Sequence, residues 1–242
     1  MAIQQMLLGF PPPSSGGSVD IESNGLIAYW NAISENVENQ NSNSKVLDTS
    51  GNGNDLQSSN SSMNWESSDG GRVNVPSGSE YYFEWDNTLT FNASSEFTFF
   101  WAGRKDDAGS WWMLATNNDG DNFIGITGTL HRLDSNNNIK GDLNVGSGYN
   151  ANTIQCFYMT MQTNGTITWY HNGSSIGSVT FGDPGSGQGW NNDSAVFKFL
   201  NRYGYDSLQS SGRFNFAGFY NRALSSSEIA SNWSAHQTRL NM

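Results

Sequence analysis

The chain has a single cysteine, Cys156, so no intrachain disulfide can form. It has no run of about 18 apolar residues, the length a transmembrane helix needs. Proline is scarce, with 5 in 242 residues, and three of those stand together as Pro11-Pro12-Pro13. Charge is scarce too, at 14% of residues, which excludes a disordered polyelectrolyte. Basic residues are half as many as acidic ones, 11 against 22, for a net charge of -11. Such a surface repels phosphate backbones and anionic lipid, and no basic cluster overrides it. The three histidines, His131, His171 and His236, lie far apart with no ligand spacing. They read as surface residues, not a zinc site. Nucleotide-binding glycine loops and a Gly-x-Ser-x-Gly elbow are also missing.

What is present is glycine (27), asparagine, serine and aromatics (13%). Short alternating runs rich in Phe, Trp and Tyr are separated by turn residues, the pattern of an all-β sandwich. The strongest strand runs from Phe97 to Arg104. Others are expected at Leu26–Trp30, Arg72–Val75, Tyr81–Trp85, Trp111–Thr116, Ile154–Gln162, Thr166–His171 and Ala195–Leu200. The Asn164-Gly165 and Asn172-Gly173 pairs suit type I′ hairpin turns. Cys156 sits in an apolar run and reads as a buried core thiol.

The chain is organised around Gly212 to Trp233. Its first half alternates, which places Phe214, Phe216, Gly218 and Tyr220 on one face and Asn215, Ala217 and Phe219 on the other. Its second half carries a helix start. Ser225 caps, Glu228 returns the bond three residues on, and Leu224 with Ile229 forms a hydrophobic staple.

The string Asn221-Arg222-Ala223-Leu224-Ser225 with Glu228-Ile229 resembles the closing segment of laminin G-like domains of the concanavalin A-like lectin/glucanase superfamily. Gly25–Trp30 followed by Asp48–Asp55, Glu96–Ala102, and Thr168–Gly177 resemble its earlier strands, in order. The resemblance spans residues 25–235 and implies a jelly-roll β-sandwich with one short C-terminal helix. The family's acidic pair in the last strand is replaced by Asn215 and Phe216. The superfamily's laminarinase-type members carry Glu-x-Asp-x-x-Glu, with a carboxylate at each end for retaining hydrolysis. Here Glu84 and Asp86 match, and Leu89 stands in the third place, so the chain is expected not to be an enzyme. The family's calcium would fall at Asp48, Asn52, Asn54 and Asp55, which offer hard oxygen ligands. The alternative is that Asp48 and Asn52 bond turn amides. Glycan binding needs an aromatic platform with polar groups beside it. Trp112, Trp190 and Tyr205, in or beside polar loops, are the candidates.

Residues 1–18 read as a separate arm, ahead of a domain at 19–242. Ile3, Met6, Leu7, Leu8 and Phe10 form an apolar tip, followed by the stiff prolines and a flexible Ser/Gly tether. No basic n-region precedes the tip, so export by a signal peptide is not expected. The opening nine residues resemble the start of many tailed-phage structural proteins. The sequence therefore leads to a virion structural protein, synthesised in a host cytoplasm. It would be a displayed lectin-like domain, as a capsid decoration or tail appendage, docked to other virion proteins through its arm and touching host surface glycans. The alternative is a free, non-catalytic carbohydrate-binding module of a cellular protein.

Overall fold

A computed structural model describes residues 20–77, 81–85, 96–106, 112–116, 123–126, 130–135, 138–144, 150–180, 197–199, 211–240 and 242. The arm and its five apolar residues lie outside them, as do Asp86, Leu89, Trp190 and Tyr205.

In chain order the strands are β1 (Leu26–Asn31), β2 (Val37–Glu38), β3 (Lys45–Val46), β4 (Leu56–Ser58), β5 (Trp65–Glu66) and β6 (Arg72–Val75). There follow β7 (Phe83–Trp85), β8 (Phe97–Lys105), β9 (Trp112–Thr116), β10 (Phe123–Ile126), β11 (Leu130–Ser135) and β12 (Asn138–Asn144). The last are β13 (Gln155–Met161), β14 (Thr166–His171), β15 (Ser174–Thr180), β16 (Phe197–Phe199) and β17 (Gly212–Tyr220), before helix α1 (Ser226–Leu240). They form two sheets. One runs β15-β14-β13-β8-β17-β6-β5, with β1 also paired to β17. The other runs β12-β11-β10-β9-β16-β7-β4-β3-β2. The fold is an all-β sandwich, as the strand spacing implies.

The two sheets bury one core between them. Trp30, Trp85, Phe99, Trp101, Phe199 and Phe219 are each no more than 1% exposed there. A second core lies on the far side of the eight-stranded sheet, under α1. It gathers Tyr29, Phe100, Tyr158, Phe216 and Tyr220 with Leu224, Ile229, Trp233 and Leu240. β8 and β13 therefore carry large side chains on both faces, because each face has a cover. Phe97, Phe99 and Trp101 point between the sheets, and Phe100 and Ala102 point to the helix. Cys156 is fully buried in this second core, and burial pushes its thiol pKa up.

β17 departs from simple alternation. A register shift between Phe214 and Phe216 makes Asn215 a bulge. Phe214 consequently joins Ala217 and Phe219 between the sheets, while Phe216 and Tyr220 face α1. The bulge has its own bonds. Asn215 O accepts the Ala32 N–H at 2.9 Å, and its Nδ2 donates to Gly71 O at 3.0 Å. The hairpins also differ from one another. Asn172 and Gly173 have φ of 48° and 76°, the type I′ turn expected. Asn164 is absent from the residues with positive φ, whereas Gly165 has φ 76°. Gly165 donates to Gln162 O at 2.8 Å, and Gln162 donates to Thr166 O at 3.0 Å. That is a type I turn closed by a left-handed glycine, a three-residue loop.

The helix begins as its sequence dictates. Ser225 N donates to Glu228 Oε2 at 2.7 Å, and Glu228 N donates to Ser225 Oγ at 3.3 Å, a reciprocal capping box. Arg222 Nη2 donates to Glu228 Oε1 at 2.7 Å, and these partners hold the carboxyl down to about 2. The helix continues seven residues past Trp233, to Leu240. Ile229, Trp233, His236 and Leu240 make its buried stripe. Among the described residues no helix is long and apolar enough to cross a membrane.

Candidate binding face

The expected calcium residues meet around one turn. Asp48 Oδ1 accepts the N–H groups of Tyr29 and Ser50, both at 2.9 Å. Its Oδ2 accepts the Asn54 N–H at 2.9 Å and the Ser50 hydroxyl at 2.8 Å. Asp55 Oδ1 accepts the Asp48 N–H at 2.8 Å, and Oδ2 meets Lys45 Nζ at 2.6 Å. Burial works to raise the Asp55 pKa, and Lys45 and the Asp48 amide outweigh it, leaving it lowered. The amides of Asn52 and Asn54 donate to Ile27 O at 3.2 and 2.7 Å. Asp48, Asn52 and Asn54 tie the turn to β1, and Asp55 joins it to Lys45; Asp48 bonds backbone amides, whereas the Asn52 side chain donates to β1 carbonyls. Among the described residues no group of three His, Cys, Asp or Glu side chains is placed to hold a metal. Replacing Asp48 by alanine strips the Tyr29 and Asn54 amides of their acceptor and is expected to cost about 2–3 kcal/mol in urea unfolding. A chelator is expected to leave the wild-type midpoint unchanged; a midpoint that rises with added calcium would restore a metal at this turn.

The outer face of the nine-stranded sheet carries a different arrangement. Register pairs link Glu38 to Lys45, Lys45 to Gln57, Gln57 to Glu84, Glu84 to Lys198, and Lys198 to Thr116. Six residues thus stand in one row across β2, β3, β4, β7, β16 and β9. Their neighbours Val37, Val46, Leu56, Phe83, Trp85 and Phe199 fill the core, which sends Glu38, Lys45, Gln57, Glu84 and Lys198 to the outside by alternation. The row steps by one strand spacing, about 4.8 Å. Its depth varies: the Glu38, Lys45 and Glu84 side chains are 57%, 30% and 39% exposed, and that of Lys198 only 8%. Lys198 Nζ stands 3.9 Å from Glu84 Oε1 and 4.1 Å over the Tyr82 ring. Burial lowers the Lys198 pKa, and Glu84 works against that. Further along the same sheet, Arg132 grips Asp142 with two bonds, at 2.7 and 2.8 Å. The face offers alternating donors and acceptors around a sunken ammonium, a surface suited to hydroxyl-rich ligands.

Of the expected platform residues, Trp112 lies on β9 opposite core residue Ile126. Trp190 and Tyr205 lie outside the described residues. Glu84, the first residue of the hydrolase-like motif, belongs to the polar row, between Gln57 and Lys198. Tyr82, Gln57 and Lys198 were not foreseen. The signal for Lys198 was its place between Phe197 and Phe199, since a lysine inside an apolar strand faces away from the core.

The histidines are not surface residues. His131 and His236 are fully buried, and His171 is half-buried with Nε2 enclosed. Each packs against aromatic rings instead. His171 lies 4.8 Å from Phe157, and His131 lies 5.0 Å from Trp169.

No protein-family profile and no curated protein sequence matches the chain. Solved structures do. The binding domain of Paraclostridial Mosquitocidal Protein 1 superposes with a TM-score of 0.67 at 18% identity, over 87% of this chain and 52% of that one. Domain 4 of AbnA, a GH43 extracellular arabinanase from Geobacillus stearothermophilus solved with arabinotriose, gives 0.64 at 11% identity, over 87% of this chain and 99% of that one. A structure reported for ganglioside-dependent cell entry of botulinum neurotoxin type C gives 0.66 at 14%, covering 89% and 52%. The likeness is one of fold. The chain spans about half the length of the toxin binding domains and nearly all of the arabinanase domain.

Proposed function

We propose that this chain is a lectin-like, non-catalytic binding domain that takes glycans on the outer face of its nine-stranded sheet. The observation that carries this is the register-aligned row Glu38–Lys45–Gln57–Glu84–Lys198, with its ammonium sunk beside Tyr82. Similarity in fold to an arabinanase domain solved with a trisaccharide, and to a toxin described with gangliosides, supports it. Glu84 has an amide and an ammonium as row neighbours, which suits holding a ligand rather than the paired carboxylates of glycoside hydrolysis. The test is a glycan array with the full chain, followed by titration of the best ligand against Gln57→Ala and Glu84→Gln. Each is expected to weaken binding about tenfold, the loss of one good hydrogen bond to a charged or polar partner. Binding unaltered in both variants would rule out this face, and an empty array would rule out the reading.

In its finer form the domain is displayed on a virion through residues 1–18, with Ile3, Met6, Leu7, Leu8 and Phe10 as the anchor. Geometry supports a tether on the far side. The described chain starts against α1, where Glu22 N donates to Asn232 Oδ1 at 2.8 Å and Tyr220 Oη donates to Glu22 O at 2.8 Å. α1 covers the eight-stranded sheet, so the described chain begins on the side opposite the polar row. Deleting residues 1–18 is expected to leave glycan affinity intact and abolish incorporation into particles. A deletion that is incorporated normally would favour the free carbohydrate-binding module.

A further inference from the structure

α1 docks over stranded polar atoms. His236 is fully buried, and neither ring nitrogen meets a hydrogen-bonding group among the described residues. Its ring lies flat on Phe216, with centroids 3.8 Å apart and planes at 16°. Tyr29 and Phe100 close the site at 5.9 and 6.0 Å. Nearby, the Tyr29 hydroxyl, the Asn31 and Asn215 side-chain oxygens, and Nε and Nη1 of Arg239 are buried without hydrogen-bond partners among the described residues.

The groups around His236 give a proton no welcome. On its own helix the charged neighbour is Arg239, whose guanidinium stands 5.4 Å from the same Phe216 ring. From β1 comes the neutral Tyr29 hydroxyl, with Cys156 and Tyr158 of β13 beyond it, both kept neutral by burial. β8 and β17 present the uncharged rings of Phe100 and Phe216. The carboxylate of Asp69, on the turn Ser68–Gly70, is turned onto Arg72. An imidazolium here would lack an acceptor, lack water and sit beside a second cation.

Moving the helix is the least disruptive way to hydrate that charge. α1 belongs to neither sheet ladder. It is held by Ile229, Trp233 and Leu240, and by a few bonds such as Arg239 Nη2 to Gly71 O at 3.0 Å and Tyr170 Oη with Ser226 Oγ at 3.2 Å. We propose that α1 is an acid-released latch. Protonating His236 lifts the helix off the eight-stranded sheet while the two sheets stay packed, and uncovers the aromatic face of Tyr29, Phe100, Phe216 and Tyr220.

The test is hydrogen exchange of the full chain between about pH 7 and about pH 4, corrected for intrinsic rates, with a fluorescent probe of exposed apolar surface. Residues 226–240 are expected to lose protection as pH falls below about 6.5, the ordinary histidine value, well ahead of 97–105 and 155–161, which lose only what global unfolding costs them and keep theirs in the His131→Phe background. Probe fluorescence should rise over the same interval. His236→Phe keeps the stack without a titrating nitrogen and is expected to hold the helix down at about pH 4. His236→Leu serves if that variant does not fold, and His131→Phe is expected to leave the release unchanged. Equal loss of helix and strand protection in the His131→Phe background would overturn the proposal. So would full helix protection at the acid end, or release that persists in the His236 variants.

Discussion

Trp30→Ala is expected to lower the stability of the chain by about 4 kcal/mol, near the upper end for emptying an aromatic site. The reason is where the indole sits. It is fully buried and touches rings from both sheets: Trp85 at 5.0 Å, Phe199 at 5.1 Å and Phe219 at 6.3 Å. These belong to β7, β16 and β17, so one side chain joins three strands that are remote in sequence. Its Nε1–H also donates to Asn54 O, at the end of the turn built on Asp48. Alanine removes the aromatic contacts and the indole's hydrogen bond to that carbonyl. Surrounding backbone in two sheets cannot collapse into the space. Trp65 makes a useful comparison. It is only half-buried, and its indole donates one bond, to Ala32 O at 2.8 Å. Trp65→Ala is expected to cost about 1–2 kcal/mol. Urea unfolding of the two variants checks the difference; equal losses would mean that Trp30 does not join the sheets.

The second large effect is on pH. His131 sits between the sheets, with Phe157 at 5.4 Å and Trp169 at 5.0 Å, and neither nitrogen has a partner among the described residues. Burial, helped by His171, pushes its pKa down to about 4. The unfolded chain titrates near 6.5, so it binds the proton first. The stability tied to neutral His131 is complete above about 6.5 and is lost as pH falls to about 4. The gap corresponds to about 3 kcal/mol. Urea midpoints at the two ends should differ accordingly, and His131→Phe should remove most of that difference. A variant that is as acid-sensitive as the wild type would assign the loss to other groups. This effect acts on the whole sandwich, unlike that of His236, which acts on one helix.

Much of the fold was legible locally. Arg72–Val75 and Thr166–His171 form strands with the bounds their alternation implies, and Ser225 with Glu228 forms the expected box. What failed depended on partners. Asn215 carries no mark of a bulge; its extra residue appears only when β17 is paired with β8. β12 starts on Asn138, in an asparagine run with no strand signal, and owes its form to pairing with β11. The burial of His236 was readable, since Ile229, Trp233, His236 and Leu240 follow the spacing of one helix face. The polar row was not. Strands of two or three residues such as β2, β3 and β4 show no periodicity, and a row of register partners is a property of pairing across some 160 residues from Glu38 to Lys198.

The attachment of Glu22 has a mechanical consequence. Tension arriving from the residues before Asp20 meets first the two bonds that bind Glu22 to Asn232 and Tyr220. Behind them stands β1, paired along Leu26–Asn31 with β17 and held at its other flank by the Asp48 turn. A pull from that end therefore loads α1 and the last residue of β17 before it reaches β1.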